Sequence, residues 1–386
     1  LAPPLRLAVY TDYAYHRVGS DVYSERAFSL FIERLAANVE RLVVIGRLDP
    51  EPGRARYRLG EGVEFVPLPF YRSLAEPLQA IRGMAGAPLR FWRAMEAVDA
   101  VWILGPHPLA LPFAAIAALR GRRIFLGVRQ DFPAYIAARR GSRWIRLAAA
   151  MLERSFRLLG RACPVVVVGP QIAHNYRRSR SLLQIAVSLV DDADIVSAEA
   201  AAKRSYEGDL EILSVGRLDV EKNPLILAEV LGLLRDGDPR WRLAVCGEGP
   251  MADDLQRRLQ ELGLAESSEL LGYVALDKGL LERYRESHVF FHASWTEGLP
   301  QVLFEAFAAG LPVVATDVGG IREALGEAVS LVPAGDPEAA ERALQRLVSD
   351  RTERERLIAA GFACVRRSTM TMEAGRTASF LRDGLD

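Results

Sequence analysis

Short apolar runs rich in valine, isoleucine and leucine alternate with longer segments of helical period along nearly all of this 386-residue chain. In the first half the runs are Leu5–Thr11, Leu42–Arg47, Glu64–Leu68, Ala100–Leu104, Arg123–Val128 and Pro164–Val168. In the second they are Glu211–Val215, Arg242–Cys246, Glu269–Leu271, Val289–His292, Pro312–Thr316 and Ser330–Val332. Such runs predict strands buried on both faces, and the helices between them predict parallel sheets. Phe28, Phe31, Ile32 and Leu35 recur at i, i+3, i+4 and i+7, the apolar stripe of a covering helix. Asn223-Pro224 predicts another helix start, an N-cap followed by proline at the first helical position. Twelve strands are too many for one ordinary doubly wound sheet. The expected fold is therefore α/β, with two Rossmann-like domains facing across a cleft. Polar and small residues from Val190 to Ser205 mark the connector, giving domains at 1–192 and 206–369. Ligands of open α/β sheets bind beyond the carboxyl ends of the strands, so the cleft is the expected site.

Half the residues are hydrophobic and a quarter charged, enough apolar material for two cores. No apolar run reaches the ~18 residues of a membrane span, and the start carries no signal-peptide pattern. Cys163, Cys246 and Cys364 lie far apart in apolar surroundings, which predicts buried thiols in a reducing, cytoplasmic setting. The zero net charge conceals a division. Residues 1–200 carry 27 Arg and no Lys against 18 Asp plus Glu, an excess of nine positive charges. That half either serves anionic partners, such as a phospholipid surface at the inner face of a membrane, or places arginine on solvated helix faces.

The densest chemistry lies between Ser294 and Gly320. Glu297 stands in a loop, a Gly298-Leu299-Pro300 turn follows, and Glu305 lies about one turn into the next helix. A helix start fed by a glycine loop offers unpaired N–H groups and a positive dipole end to an anion. Two carboxylates beside it can hold hydroxyl groups, as a sugar-bearing nucleotide presents. Ser214–Pro224 runs from a strand end to a helix start, where Gly216 allows a sharp exit and Arg217 and Lys222 can converge on a diphosphate. Gly247-Glu-Gly-Pro-Met-Ala252 has the dinucleotide spacing, but the acidic residue expected ~20 positions later at a strand end is missing. Asp192-Ala-Asp194 is a metal-binding triplet or, in this connector, solvated linker charge. His288 and His292 are four apart but lie along a strand, ~13 Å from one another, so they form no zinc pair.

Together these residues resemble the family 4 glycosyltransferases of the GT-B fold. Glu297 and Glu305 match an E-x7-E signature, Arg217 and Lys222 a basic pair, Gly247–Pro250 a glycine-proline loop and Leu271–Val274 a base-side strand. The resemblance implies retaining transfer from a nucleoside diphosphate-sugar to a sugar or lipid-linked acceptor, with no metal or other cofactor. It implies that Arg217, Lys222 and the N–H groups of Gln301, Val302 and Leu303 meet the diphosphate. Glu297 would hold the sugar, Glu305 the ribose, backbone near Tyr273 the base, and Gly19 would approach the diphosphate from the other sheet. The final helix, 370–386, would pack back onto the first domain. This chain departs from the pattern in having one glycine, Gly19, where a pair is common, and Arg129 where many members have histidine. The acceptor-side group is then His107, Arg129 or Asp131, with a structural turn role for His107 equally open. Helical segments Ile81–Met95 and Ser142–Arg161 combine aromatic residues with arginine, which suits either an anionic membrane surface or an ordinary wet helix face.

Overall fold

The computed structural model describes residues 5–385 apart from 52, 54–55, 75, 139–141 and 277–278. The chain divides into two compact units, one of Leu1–Ile136, Gly141–Val187 and Met370–Asp386, the other of Ala137–Arg140 and Ser188–Thr369.

The first unit is built on one nine-stranded sheet. Its strands are β1 (Arg6–Val18), β2 (Asp21–Ser24), β3 (Arg41–Asp49), β4 (Tyr57–Arg58), β5 (Val63–Leu68), β6 (Ala100–Gly105), β7 (Arg123–Val128), β8 (Val165–Val168) and β9 (Leu182–Ile185). The parallel part runs β5-β3-β1-β6-β7-β8-β9, so the winding direction reverses between β1 and β6. Leu7 to Tyr10, Val101 to Leu104 and Val165 to Val167 are buried residue after residue, because both faces are covered. One face packs on Phe91, Met95, Phe113, Phe156 and Tyr176 from the helices of 87–94, 110–119, 143–160 and their neighbours. The other carries helix Phe28–Ala36 and the last helix, Met370–Asp383. That last helix is fastened to this unit. Glu373 accepts from the Ala186 N–H at 3.1 Å, Arg382 donates to the Asn38 carbonyl at 2.9 Å, and Phe380 meets Phe125 edge-on.

The second unit has six parallel strands, β10 (Leu210–Val215), β11 (Trp241–Cys246), β12 (Ser268–Gly272), β13 (Val289–His292), β14 (Val313–Thr316) and β15 (Ser330–Val332). Their order is β12-β11-β10-β13-β14-β15, with the reversal between β10 and β13. Ile212, Leu231, Leu234, Trp241, Phe291 and Leu344 form its core.

All twelve expected strands form. Three further strands, β2, β4 and β9, do not carry the long apolar run that announces a buried strand. The largest difference is β1, which continues through the polar segment Thr11–Val18 and turns back into antiparallel β2. Gly19 therefore lies at the tip of a hairpin and not directly at the end of the parallel part of β1. It sits in the turn between Val18 and Asp21, well past Tyr10, at φ +62, the left-handed conformation that hairpin turns demand. Asn223 is likewise no helix N-cap. It closes a 3-10 turn, Val220–Lys222, with φ 46, and the helix begins at Ile226.

Candidate active site

Where a doubly wound sheet reverses, the loops leaving the two central strands go to opposite faces and open a crevice at their carboxyl ends. In the second unit those strands are β10, which feeds Gly216–Lys222, and β13, which ends at His292 and feeds Ala293–Pro300. The Trp295 N–H donates to the Glu221 carbonyl at 2.9 Å and joins the two loops. Their meeting point is Glu297. Its Oε1 accepts from Lys222 Nζ, from His292 Nε2 at 2.9 Å and from Ser294 Oγ at 2.7 Å. The Glu297 side chain is only 9% exposed. Burial alone would raise its pKa, but the Lys222 charge and the His292 hydrogen bond override it and hold the carboxyl well below the usual carboxylate range. An ionised carboxylate only accepts, so His292 carries its proton on Nε2. With three donors on Oε1, Oε2 has no partner among the described residues and is the atom left to a ligand.

Helix Gln301–Ala308 begins directly after this loop, with Pro300 as an N-cap that supplies no side-chain bond. Its first N–H groups therefore remain to be satisfied from outside the helix. Glu305 lies on the same helix in a different setting. It is buried, its Oε2 accepts from the Tyr284 hydroxyl at 2.9 Å, and burial pushes its pKa up to about 7 against the opposing effect of that bond. Two carboxylates eight positions apart thus have opposite electrostatics: Glu297 is fixed as an anion, Glu305 stands near the point of protonation.

Arg217 reaches Asp219 at 2.7 Å and the buried Glu221 at 3.0 Å, while its side chain stays half exposed. Its loop is locked to the one after β11. Leu218 N–H donates to the Glu248 carbonyl and Met251 N–H to the Leu218 carbonyl, each at 3.0 Å. A Cβ on Gly247 would come within 1.8 Å of the Gly216 carbonyl oxygen, and one on Gly249 within 2.3 Å of that of Leu218. These glycines are thus explained by backbone meeting backbone, with no pyrophosphate needed to account for them. Gly247 N–H also donates to the Gly272 carbonyl at 2.7 Å, which brings Tyr273, just after β12, to the same edge. Gly298 accepts from the Gly320 N–H at 3.3 Å, and Leu299 occupies the turn before the helix.

Sequence reasoning missed His292 and Ser294. The usable signal was position: His292 is the last residue of a central parallel strand at the reversal point. His288, at the other end of β13, does a different job, accepting from the Glu211 N–H at 3.0 Å. The Asp192–Asp194 triplet forms a 3-10 turn in which the Asp194 carboxylate accepts from the Asp191 N–H at 2.9 Å, a local cap.

In the first unit His107 follows β6. It is buried, its Nδ1 accepts from the Leu109 N–H at 3.2 Å and lies 2.9 Å from the Tyr10 hydroxyl. Nε2 then carries the proton and faces the Tyr71 hydroxyl at 2.8 Å. Burial lowers its pKa to about 4, so the ring is neutral and both nitrogens are engaged. Arg129 lies with its guanidinium 3.8 Å over the Phe28 ring, and burial lowers its pKa to about 10 while the Asp12 charge opposes the shift. Asp131 caps Ala134 N–H at 3.0 Å and accepts from Asn175 at 3.4 Å.

Comparison with known proteins places these observations. A phosphatidyl-myo-inositol mannosyltransferase of Mycobacterium leprae is 36% identical over 169 residues, 43% of this chain and 44% of that protein. The chain spans less than half the length of the curated relatives it first matches. Among solved structures, Anabaena HepE in complex with UDP superposes with a TM-score of 0.70 at 14% identity, covering 97% of this chain and 98% of that one. Sucrose-phosphate synthase from Thermosynechococcus elongatus does so with 0.71 at 18% identity, with the same two coverages. The shared fold is GT-B. Residues 197–363, which hold Arg217, Lys222, His292, Glu297 and Glu305, match the family described as glycosyl transferases group 1.

Proposed function

We propose that this chain transfers a glycosyl group from a nucleoside diphosphate-sugar to a lipid-linked or glycan acceptor, with retention of anomeric configuration and without a bound metal. The observation that carries the reading is Glu297 at the reversal point, with Oε1 held by three donors and Oε2 unengaged beside an uncapped helix start. Such a carboxylate presents one fixed acceptor to a sugar hydroxyl. Lys222, Arg217 and the N–H groups of Gln301 and Val302 supply positive charge where the diphosphate leaving group develops negative charge. Arrival of the diphosphate competes with Glu297 for Lys222, so donor binding and release of the carboxylate are coupled. Glu305 takes the ribose hydroxyls and the backbone near Tyr273 the base. His107 serves the frame of the first unit, and Gly19 its hairpin.

The Anabaena neighbour was solved with UDP and with UDP-glucose, which makes uridine diphosphates the first probes. The mannosyltransferase relative makes phosphatidylinositol the first lipid acceptor to try. Thermal stabilisation by a panel of nucleoside diphosphates and their sugars identifies the donor, since a ligand of the native state raises stability by mass action. Turnover in the presence of a chelator, with anomeric configuration read by NMR, then tests the rest. Donor turned over equally with and without acceptor, with no glycosylated acceptor formed, would make the chain a nucleotide-sugar hydrolase or epimerase. Donor binding without turnover on any acceptor would make it a binding protein.

A further inference from the structure

Helix Arg143–Gly160 has two apolar faces, and only one of them is covered. Ala149, Glu153, Phe156 and Gly160, at i, i+4, i+7 and i+11, are its buried positions. Trp144, Leu147, Met151 and Leu158 follow i, i+3, i+7 and i+14 and are 66%, 51%, 61% and 50% exposed. At about 100° per residue the two stripes lie roughly 180° apart, so the second points straight away from the core. Arginines 143, 146, 154, 157 and 161 fall along one flank between them. The only acid on the helix, Glu153, faces inward and is paired with Arg157 at 3.0 Å. Two other helices that cover the same core, Pro77–Ala85 and Ala87–Ala94, also expose Ile81, Leu89 and Trp92 while packing inward through Met84 and Phe91.

An ordinary solvated helix puts polar residues opposite its buried face. This one puts tryptophan, leucine and methionine there, with guanidinium groups at the edge. Arg143 lies 5.0 Å over the Trp144 ring. Apolar residues outward and cations beside them match the boundary between acyl chains and anionic headgroups. No described helix is long and apolar enough to cross a membrane, so the geometry is that of a helix lying on one. We propose that the outer face of helix Arg143–Gly160 docks the first unit onto an anionic lipid bilayer, with Trp144, Leu147, Met151 and Leu158 in the interface and the arginines on lipid phosphates. This rests on the functional reading above only for what the surface is used for, namely to meet a lipid-linked acceptor.

The test is co-sedimentation of the full chain with vesicles of phosphatidylcholine alone, or of phosphatidylcholine mixed with phosphatidylglycerol, at low and high salt. Binding is expected to the mixed vesicles and to weaken with salt. Each arginine of Arg143→Gln, Arg146→Gln and Arg154→Gln should cost about fivefold in partitioning. Leu147→Ser with Met151→Ser should weaken binding further at unchanged melting temperature, since these side chains are already exposed. Equal binding to both vesicle types, no binding to either, or unchanged binding by the variants overturns the proposal. So does a concentration-dependent dimer abolished by Met151→Ser, which would make the face a contact between copies. UDP affinity measured on the same samples separates the two readings. Vesicle binding without UDP binding removes the donor site and leaves the docking face, and the converse removes only the docking face.

Discussion

The two sheets reverse direction in the same way, β1 against β6 and β10 against β13, yet they put opposite chemistry at the reversal. In the first unit the loop after β6 delivers His107 into a closed, neutral arrangement with Tyr10 and Tyr71. In the second the segment from the end of β13 brings His292, Ser294 and Glu297 against Lys222, a charged cluster with one carboxylate oxygen unengaged. The topology supplies a place and the residues decide whether it holds a ligand. A buried neutral histidine with both nitrogens engaged stiffens a frame. A buried anion held by three donors next to free N–H groups has binding capacity left over.

The strongest way to break this contrast is Glu297→Gln. Loss of the fixed charge should lower transfer by on the order of a hundredfold or more while far-UV circular dichroism stays native. Unchanged turnover would falsify the assignment. Lys222→Ala should weaken UDP binding by at least about tenfold in calorimetry, as a charge-assisted contact to phosphate is worth about 1.5–3 kcal/mol; equal affinity removes it from the site. The pH dependence separates the units in another way. His107, lowered from 6.5 to about 4, contributes stability that is complete above pH 6.5 and lost as pH falls through 4. Glu305, raised from 4.5 to about 7, contributes stability present below pH 4.5 and lost as pH rises through 7. The two oppose each other where their windows overlap, each at about 3 kcal/mol in order of magnitude. Urea midpoints of His107→Gln should then fall with rising pH, and those of Glu305→Gln should rise. Slopes identical to the parent chain in both variants would sink the picture. The smallest expected effect is that of His292→Asn, a several-fold loss of turnover at unchanged UDP affinity, because the imidazole orients Glu297 and does not meet the phosphate. A loss of UDP affinity of the same size would place it in the phosphate site instead.

The parallel strands were legible because burial on both faces writes itself as unbroken apolar runs, as in Val165–Val168. The extension of β1 was not, since Ala14–Val18 is held by pairing with β2 and β3, and the segment mixes buried polar Thr11 and His16 with exposed Asp12 and Arg17 in place of an apolar run. The same limit applies to the site. Spacing placed Glu297 before a helix and Lys222 at a strand end, but only the packed loops show that they touch. His292 looked like half of a failed metal pair because its partner is five positions onward in a loop, where no period links them. Glu305 reads as a second ligand carboxylate in sequence, whereas its surroundings give it a protonation behaviour unlike that of Glu297.

Lys222 also stands out for what surrounds it in composition. The chain has three lysines, Lys203, Lys222 and Lys278, among 49 basic residues, and the one that meets Glu297 is among them. A single compact amine fits between a buried carboxylate and an arriving phosphate, where a planar guanidinium would need two acceptors in line. The molecule therefore carries its own reporter. With so few amines, reductive methylation with labelled formaldehyde yields a handful of resonances, and the slowest lysine to react should be the one whose nitrogen is tied to Glu297. Its signal would shift when that nitrogen changes partner, so site occupancy could be followed in solution without any added probe.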